Sequence, residues 1–145
     1  MIRTLSTIGY EGKTVDELLD ALSGAGVELL IDVRAVAASR RPGFSKSALA
    51  AAVRERGIDY LHLRALGTPK PGREAARKGR TAEMQAIFER QLETAEAALA
   101  MEQAADAAAE RRAALLCFEA DPDRCHRRII ARRLQHRNGF RIDDL

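Results

Sequence analysis

The chain of 145 residues has no tryptophan, four phenylalanines and two tyrosines. So few rings leave little surface for base stacking, and no RNA-binding signature accompanies them, which weighs against a dedicated nucleic-acid module. Two cysteines are too few for a disulfide scaffold, and a reducing compartment keeps them as thiols unless chemistry recruits them. No apolar run approaches the roughly 20 residues that a membrane-spanning helix needs, and no opening stretch joins a basic start, an apolar run and a small-residue cleavage site. The expectation is a cytoplasmic protein with no membrane partner. Internal repeats, linkers and low-complexity tails are also missing. With 46% apolar residues, residues 1–145 are expected to form one domain that buries roughly two-thirds of its unfolded surface.

Charge is present, and its placement matters more than the net +3. Basic residues concentrate at 39–46 (SRRPGFSK) and at 67–80 (GTPKPGREAARKGR), where Lys70, Arg73, Arg77, Lys78 and Arg80 outnumber Glu74. Both segments contain Pro and Gly and are read as loops. An anionic partner suits them, and so does a merely solvated edge.

Hydrophobic patterning alternates strand and helix. The short apolar run 4–8 precedes a helix over 13–25 with Thr14 as its N-cap, and the nearly continuous apolar stretch 27–33 reads as a strand covered on both faces. Ser45 or Ser47 can cap a helix ending near Arg56, and 58–63 is a third strand. Residues 81–112 have helical spacing throughout. One helix of that length would run on the order of 45 Å, too long to cross so small a sheet, so a break is expected near 104–109. A fourth strand covers 113–119. Asp121 and Pro122 then open a helix as N-cap and first residue, ending near Asn138 and Gly139, with a short fifth strand at 140–142.

Such alternation predicts a three-layer α/β sandwich, a small, mostly parallel sheet flanked by helices on both faces. Ligands bind such sheets outside the carboxyl ends of the strands. That edge gathers Gly9, Tyr10 and Glu11, then Asp32 and Arg34, then His62 and Arg64, then Glu119 with the stretch CFEADPDRCHRR at 117–128. Both basic segments follow strands and belong to the same edge.

The ordered set TIGYEG at 7–12, LIDVR at 30–34, SRRPGF at 39–44, GIDYLHLRALGTPK at 57–70 and CFEADPDRCHRRIIA at 117–131 resembles the family called domain of unknown function 488, over nearly the whole chain. The resemblance implies a small α/β domain whose motifs meet at one edge. Its motif positions fall on Gly9 and Tyr10, Asp32 and Arg34, Arg41 and Phe44, Leu66 and Gly67, and Cys117, Glu119, Cys125, His126 and Arg127. The 84–111 region departs from the family pattern, with an Ala-rich run in place of its tyrosine-containing stretch.

The candidate catalytic residues are Cys125, His126, Glu119 and Asp32. Placed about four positions into its expected helix, Cys125 would feel the dipole and Arg124, His126 and Arg127, all favouring a thiolate. Asp121 and Asp123 oppose them, and an inert buried thiol is the plain alternative. His126 can serve as acid or base near neutral pH. Glu119 and Asp32 each end an apolar strand, where a carboxylate either pairs with Arg34 or Arg127 to hold loops or takes part in acid–base chemistry. Cys117 reads as a small strand residue. Seven residues separate the cysteines and no second Cys or His pair completes four ligands, so neither a metal nor another cofactor is expected. Gly9, Tyr10, Arg34, Arg41, Phe44, Lys70 and Arg127 are the candidate substrate-binding residues, the cations acting as anion clamps.

Three functions compete. The first is an enzyme acting on a phosphorylated, nucleotide or nucleic-acid substrate at the carboxyl edge. The second is a nucleic-acid-binding module without chemistry. The third is rhodanese-like sulfur transfer through Cys125, suggested by LIDVR, although ADPDR supplies acids and a proline where a rhodanese cysteine heads an amide-rich loop. The partner expected is an anionic small molecule or a nucleic acid, and a homo-oligomer stays open.

Overall fold

The computed structural model describes residues 3–145. Five parallel strands, β1 (Thr4–Gly9), β2 (Leu29–Asp32), β3 (Asp59–His62), β4 (Ala113–Cys117) and β5 (Arg141–Asp144), form one sheet in the order β3-β2-β4-β1-β5. Alternate side chains enter two separate cores. Leu29, Ile31, Ala113, Leu115 and Cys117 face one, and Ile8, Leu30, Ala114 and Leu116 face the other. The helices divide accordingly. α1 (Val15–Gly24) and α2 (Lys46–Glu55) cover the second face, and α4 (Thr81–Gln91), α5 (Ala95–Glu110) and α6 (Arg127–Asn138) the first. This is the three-layer α/β sandwich that the alternating pattern predicts. None of the described helices is long and apolar enough to cross a membrane.

Three local expectations are corrected. Residues 67–80 are not a loop throughout, because Lys70–Arg77 forms a helix, α3. Pro71 lies in its first turn, where the missing N–H has no intrahelical partner in any case, so proline permits the helix. The long Ala-rich stretch breaks at 92–94, a dozen residues before the expected place. There Thr94 takes extended dihedrals and accepts a hydrogen bond from the Ala97 amide as the N-cap of α5. Thr94→Ala is expected to cost about 1 kcal/mol, and an unchanged urea midpoint would remove the cap from this account. Finally, Asp121 does not start the last helix. It caps a 3-10 turn over Pro122–Arg124, Cys125 is extended (φ −123°, ψ 143°), and α6 begins only after His126.

The topology opens a crevice. β2 leads through α2 to β3 along one face of the sheet, whereas its neighbour β4 leads through α6 to β5 along the other. Connections leaving two adjacent strands thus part in opposite directions, the arrangement that leaves a ligand crevice at the strands' carboxyl ends.

Candidate active site at the carboxyl edge

Two clusters form at this edge, one on each side of the sheet. The first grows from β2. Asp32 is fully buried and pairs with Arg34, whose Nε and Nη2 donate to Oδ1 at 2.9 Å and Oδ2 at 2.7 Å. Asp32 also accepts from the Arg34 amide at 3.1 Å and from the Tyr60 hydroxyl. Arg34 Nη1 donates to the Phe44 carbonyl at 2.7 Å and the Tyr10 hydroxyl at 3.3 Å. Burial opposes charge on Arg34, yet its bonds to Asp32 outweigh that and hold its pKa above the ordinary value. Tyr10 and Phe44 stack at 4.6 Å, with the Arg41 guanidinium 4.5 Å from the Phe44 ring centre. Arg41 also donates to the Tyr10 and Lys13 carbonyls. This cluster braces the loop after β2 against the loop after β1.

The second cluster grows from β4 and the turn that follows. The Cys117 thiol donates to Glu119 Oε2 at 3.3 Å, and His126 Nδ1 lies 3.5 Å from the Cys117 sulfur and 3.7 Å from that of Cys125. Because a carbonyl only accepts, the 2.7 Å contact between His126 Nε2 and the Val33 oxygen fixes a ring proton on Nε2 and turns Nδ1 toward both sulfurs. Cys117, Cys125 and His126 are all buried. Desolvation raises the Cys117 thiol, and its contact with Cys125 raises it further. For Cys125 desolvation also acts upward, but the Cys117 hydrogen bond and the charge of His126 bring it below the ordinary thiol value. Burial lifts Glu119 as well, followed by repulsion from Cys125. Arg127, 1% exposed, donates to the carbonyls of Glu119 at 2.5 Å and Ala120 at 3.3 Å and ties down the turn. Its Nε has no hydrogen-bond partner, and it forms no ion pair among the described residues.

Between the clusters lies a cavity of about 460 Å³, within the range of small-ligand sites. Cys117, Glu119 and His126 border it from β4 and the segment that follows, Arg34 from the loop after β2, Arg73 and Arg77 from α3, and Arg124 from the 3-10 turn. Val36 and Phe118, two of three large hydrophobic side chains left exposed among the described residues, also line it.

Of the residues singled out from sequence, Tyr10, Arg34, Glu119 and His126 reach this cavity, whereas Asp32, Arg41, Phe44, Lys70, Cys125 and Arg127 are not part of its lining. Cys125 sits behind Cys117 and precedes α6, so its expected position inside a helix is corrected. The expectation that spacing keeps Cys117, Cys125 and His126 apart is also corrected, because the extended backbone at Cys125 turns the chain back onto β4. Gly9 serves close approach: a Cβ there would lie 1.7 Å from the Glu119 carbonyl oxygen. Arg73, Arg77 and Arg124 were legible only as general basicity. Helical spacing of Arg73 and Arg77 on α3 is the signal that would have paired them.

The family model described as "Domain of unknown function DUF488" matches residues 14–134. The chain belongs to this family. Comparison with curated proteins and with solved structures finds no significant match. The DUF488 match takes in both clusters except Tyr10 and Lys13, together with all four arginines of the cavity.

Proposed function

We propose that this DUF488 protein is an enzyme whose cavity binds a phosphorylated substrate, a nucleotide by preference. The observation that carries this is the lining itself: four arginines, Arg34, Arg73, Arg77 and Arg124, beside Cys117, Glu119 and His126. Guanidinium groups recognise phosphate oxygens through paired, charge-assisted hydrogen bonds. Phe118, 41% exposed at the same cavity, offers one face for a base, and one face suits a single nucleotide better than a strand. Glu119, held above the usual carboxylate range by burial, suits a proton donor, and the thiol–imidazole cluster supplies the nucleophile or base. Asp32 acts as a positioning residue through Arg34. Sulfur transfer through Cys125 fits less well, since Cys125 is buried and does not line the cavity.

Inorganic pyrophosphate and adenosine monophosphate, titrated calorimetrically at low salt, test this reading. Arg73→Glu with Arg77→Glu should weaken both by at least about tenfold, the worth of losing one or more charge-assisted hydrogen bonds. Arg54→Glu, exposed at the far end of α2, should change binding less than about twofold. Bound anion should also slow alkylation of Cys117. Equal affinity in wild type and the double variant would sink the proposal.

A further inference from the structure

We propose that Cys117 Sγ, Cys125 Sγ and His126 Nδ1 form a binding site for a zinc-type divalent metal ion, with Glu119 beside the fourth coordination position. The inference goes beyond the anion-binding reading and does not depend on it, since the arginines are separate from the thiols; with the ion bound, Cys117 and His126 serve as ligands in place of a free nucleophile or base.

Three observations carry it. First, the three candidate ligand atoms lie within 4.8 Å of one another, and both sulfur–nitrogen separations, 3.5 and 3.7 Å, match a tetrahedral site. Zinc–sulfur bonds near 2.3 Å and zinc–nitrogen bonds near 2.0–2.1 Å at the tetrahedral angle place sulfur and nitrogen about 3.6 Å apart. Second, the imidazole is already oriented to ligate through Nδ1. Its Nε2–H is held by the Val33 carbonyl at 2.7 Å, and a backbone carbonyl on the far nitrogen is a common outer partner of metal-bound histidine. Third, the charges close. Arg127 is buried beside the cluster with no ion-pair partner among the described residues. A divalent ion with two thiolates and a neutral imidazole is neutral, which leaves the Glu119 carboxylate to offset Arg127.

The ligand set is Cys2His with one protein carboxylate nearby. Cys117 and His126 border the cavity and Cys125 lies behind them, so the fourth position opens toward the cavity or is closed by Glu119. Three protein ligands with one open position are the pattern of reactive rather than purely structural zinc. Thiolates and imidazole favour zinc over magnesium or calcium. Binding is a proton exchange: the ion takes two sulfur lone pairs and one nitrogen lone pair, and the cluster gives up two protons to solvent, with no change of oxidation state.

Cobalt(II) is the probe, added without oxygen to reduced, chelator-treated protein. The expected result is one ion per chain, tetrahedral visible bands, a thiolate-to-cobalt charge-transfer band, about two protons released in weak buffer, and displacement by zinc. Cys117→Ser and Cys125→Ser should each diminish the charge-transfer band. Because either variant could fail to fold, wild-type alkylation gives a second measure: zinc should slow labelling of both cysteines at least tenfold. An octahedral spectrum without the charge-transfer band, or labelling rates indifferent to zinc, would overturn the proposal. So would a chain that closes a Cys117–Cys125 disulfide under air despite saturating zinc. Pyrophosphate titration of the same metal-free sample keeps failure here distinct from failure of the anion-binding reading.

Discussion

Asp32→Asn is expected to lower stability by about 3–5 kcal/mol, the usual cost of stranding one half of a buried ion pair. Asp32 is fully buried, and four donors converge on it: the Arg34 amide, two guanidinium nitrogens and the Tyr60 hydroxyl. An amide side chain presents one oxygen where there were two and turns an N–H toward another donor, while the Arg34 cation remains. Against typical domain stabilities of roughly 5–15 kcal/mol, the variant would be partly unfolded at 37 °C or close to it. Asp32→Leu combined with Arg34→Met should recover much of the loss, since apolar groups of similar size replace a buried pair at little cost. Urea denaturation of the three proteins decides it. A single variant as stable as wild type would mean that water or a shift of Arg34 relieves the stranded charge.

The second large effect is expected at Gly9. A Cβ there would stand 1.7 Å from the Glu119 carbonyl oxygen and 2.5 Å from its carbon, and backbone cannot rotate aside as a side chain can. The crowded segment is pinned on both sides. The Tyr10 and Glu11 amides donate to Cys117 and Phe118 at 3.3 and 2.8 Å, and Arg127 holds the Glu119 oxygen itself. Gly9→Ala should therefore cost about 3 kcal/mol, at the upper end of ordinary overpacking. It should also pull Glu119 from Cys117 and speed alkylation of that thiol. Gly24→Ala is the control, because a Cβ there meets nothing within 4 Å; it should be neutral or slightly stabilising. If both variants melt together, the close approach at Gly9 is not a constraint.

These two positions also show how far the sequence could be read. Alternating apolar strands and amphipathic helices were enough for the layers, because burial on both faces leaves a strand few alternatives. The same alternation brought Asp32 and Glu119 to one edge. It could not tell which face each side chain takes, since that depends on register between strands distant in sequence. Asp32 pairs in register with Leu116, not Cys117, so it shares a face with Leu116 and lies across the sheet from the thiols. The convergence of Cys125 was hidden for a different reason. Asp121 followed by Pro122 is an equally good start for an α-helix and for a 3-10 turn, and only the packing of His126 under Phe88, ring centres 4.9 Å apart, and onto Val33 separates the two. Lys70–Arg77 departs from the loop expected of it because proline and glycine in a helix's first turn do not interrupt the helix.

That α3 is a helix changes what its charges can do. Along a loop, Arg73 and Arg77 would each follow whatever anion arrived, and the protein would attract negative charge without distinguishing its sources. Four residues apart on a helix, their backbone anchors stay just over one turn, about 6 Å, apart along the axis, and Arg73 is further fixed by its 2.9 Å bond to the Thr68 carbonyl. On the proposed anion-binding reading, the pair would work as a ruler. An anion whose negative groups match that interval would gain both contacts at once, and one of equal charge but different spacing would gain only the first.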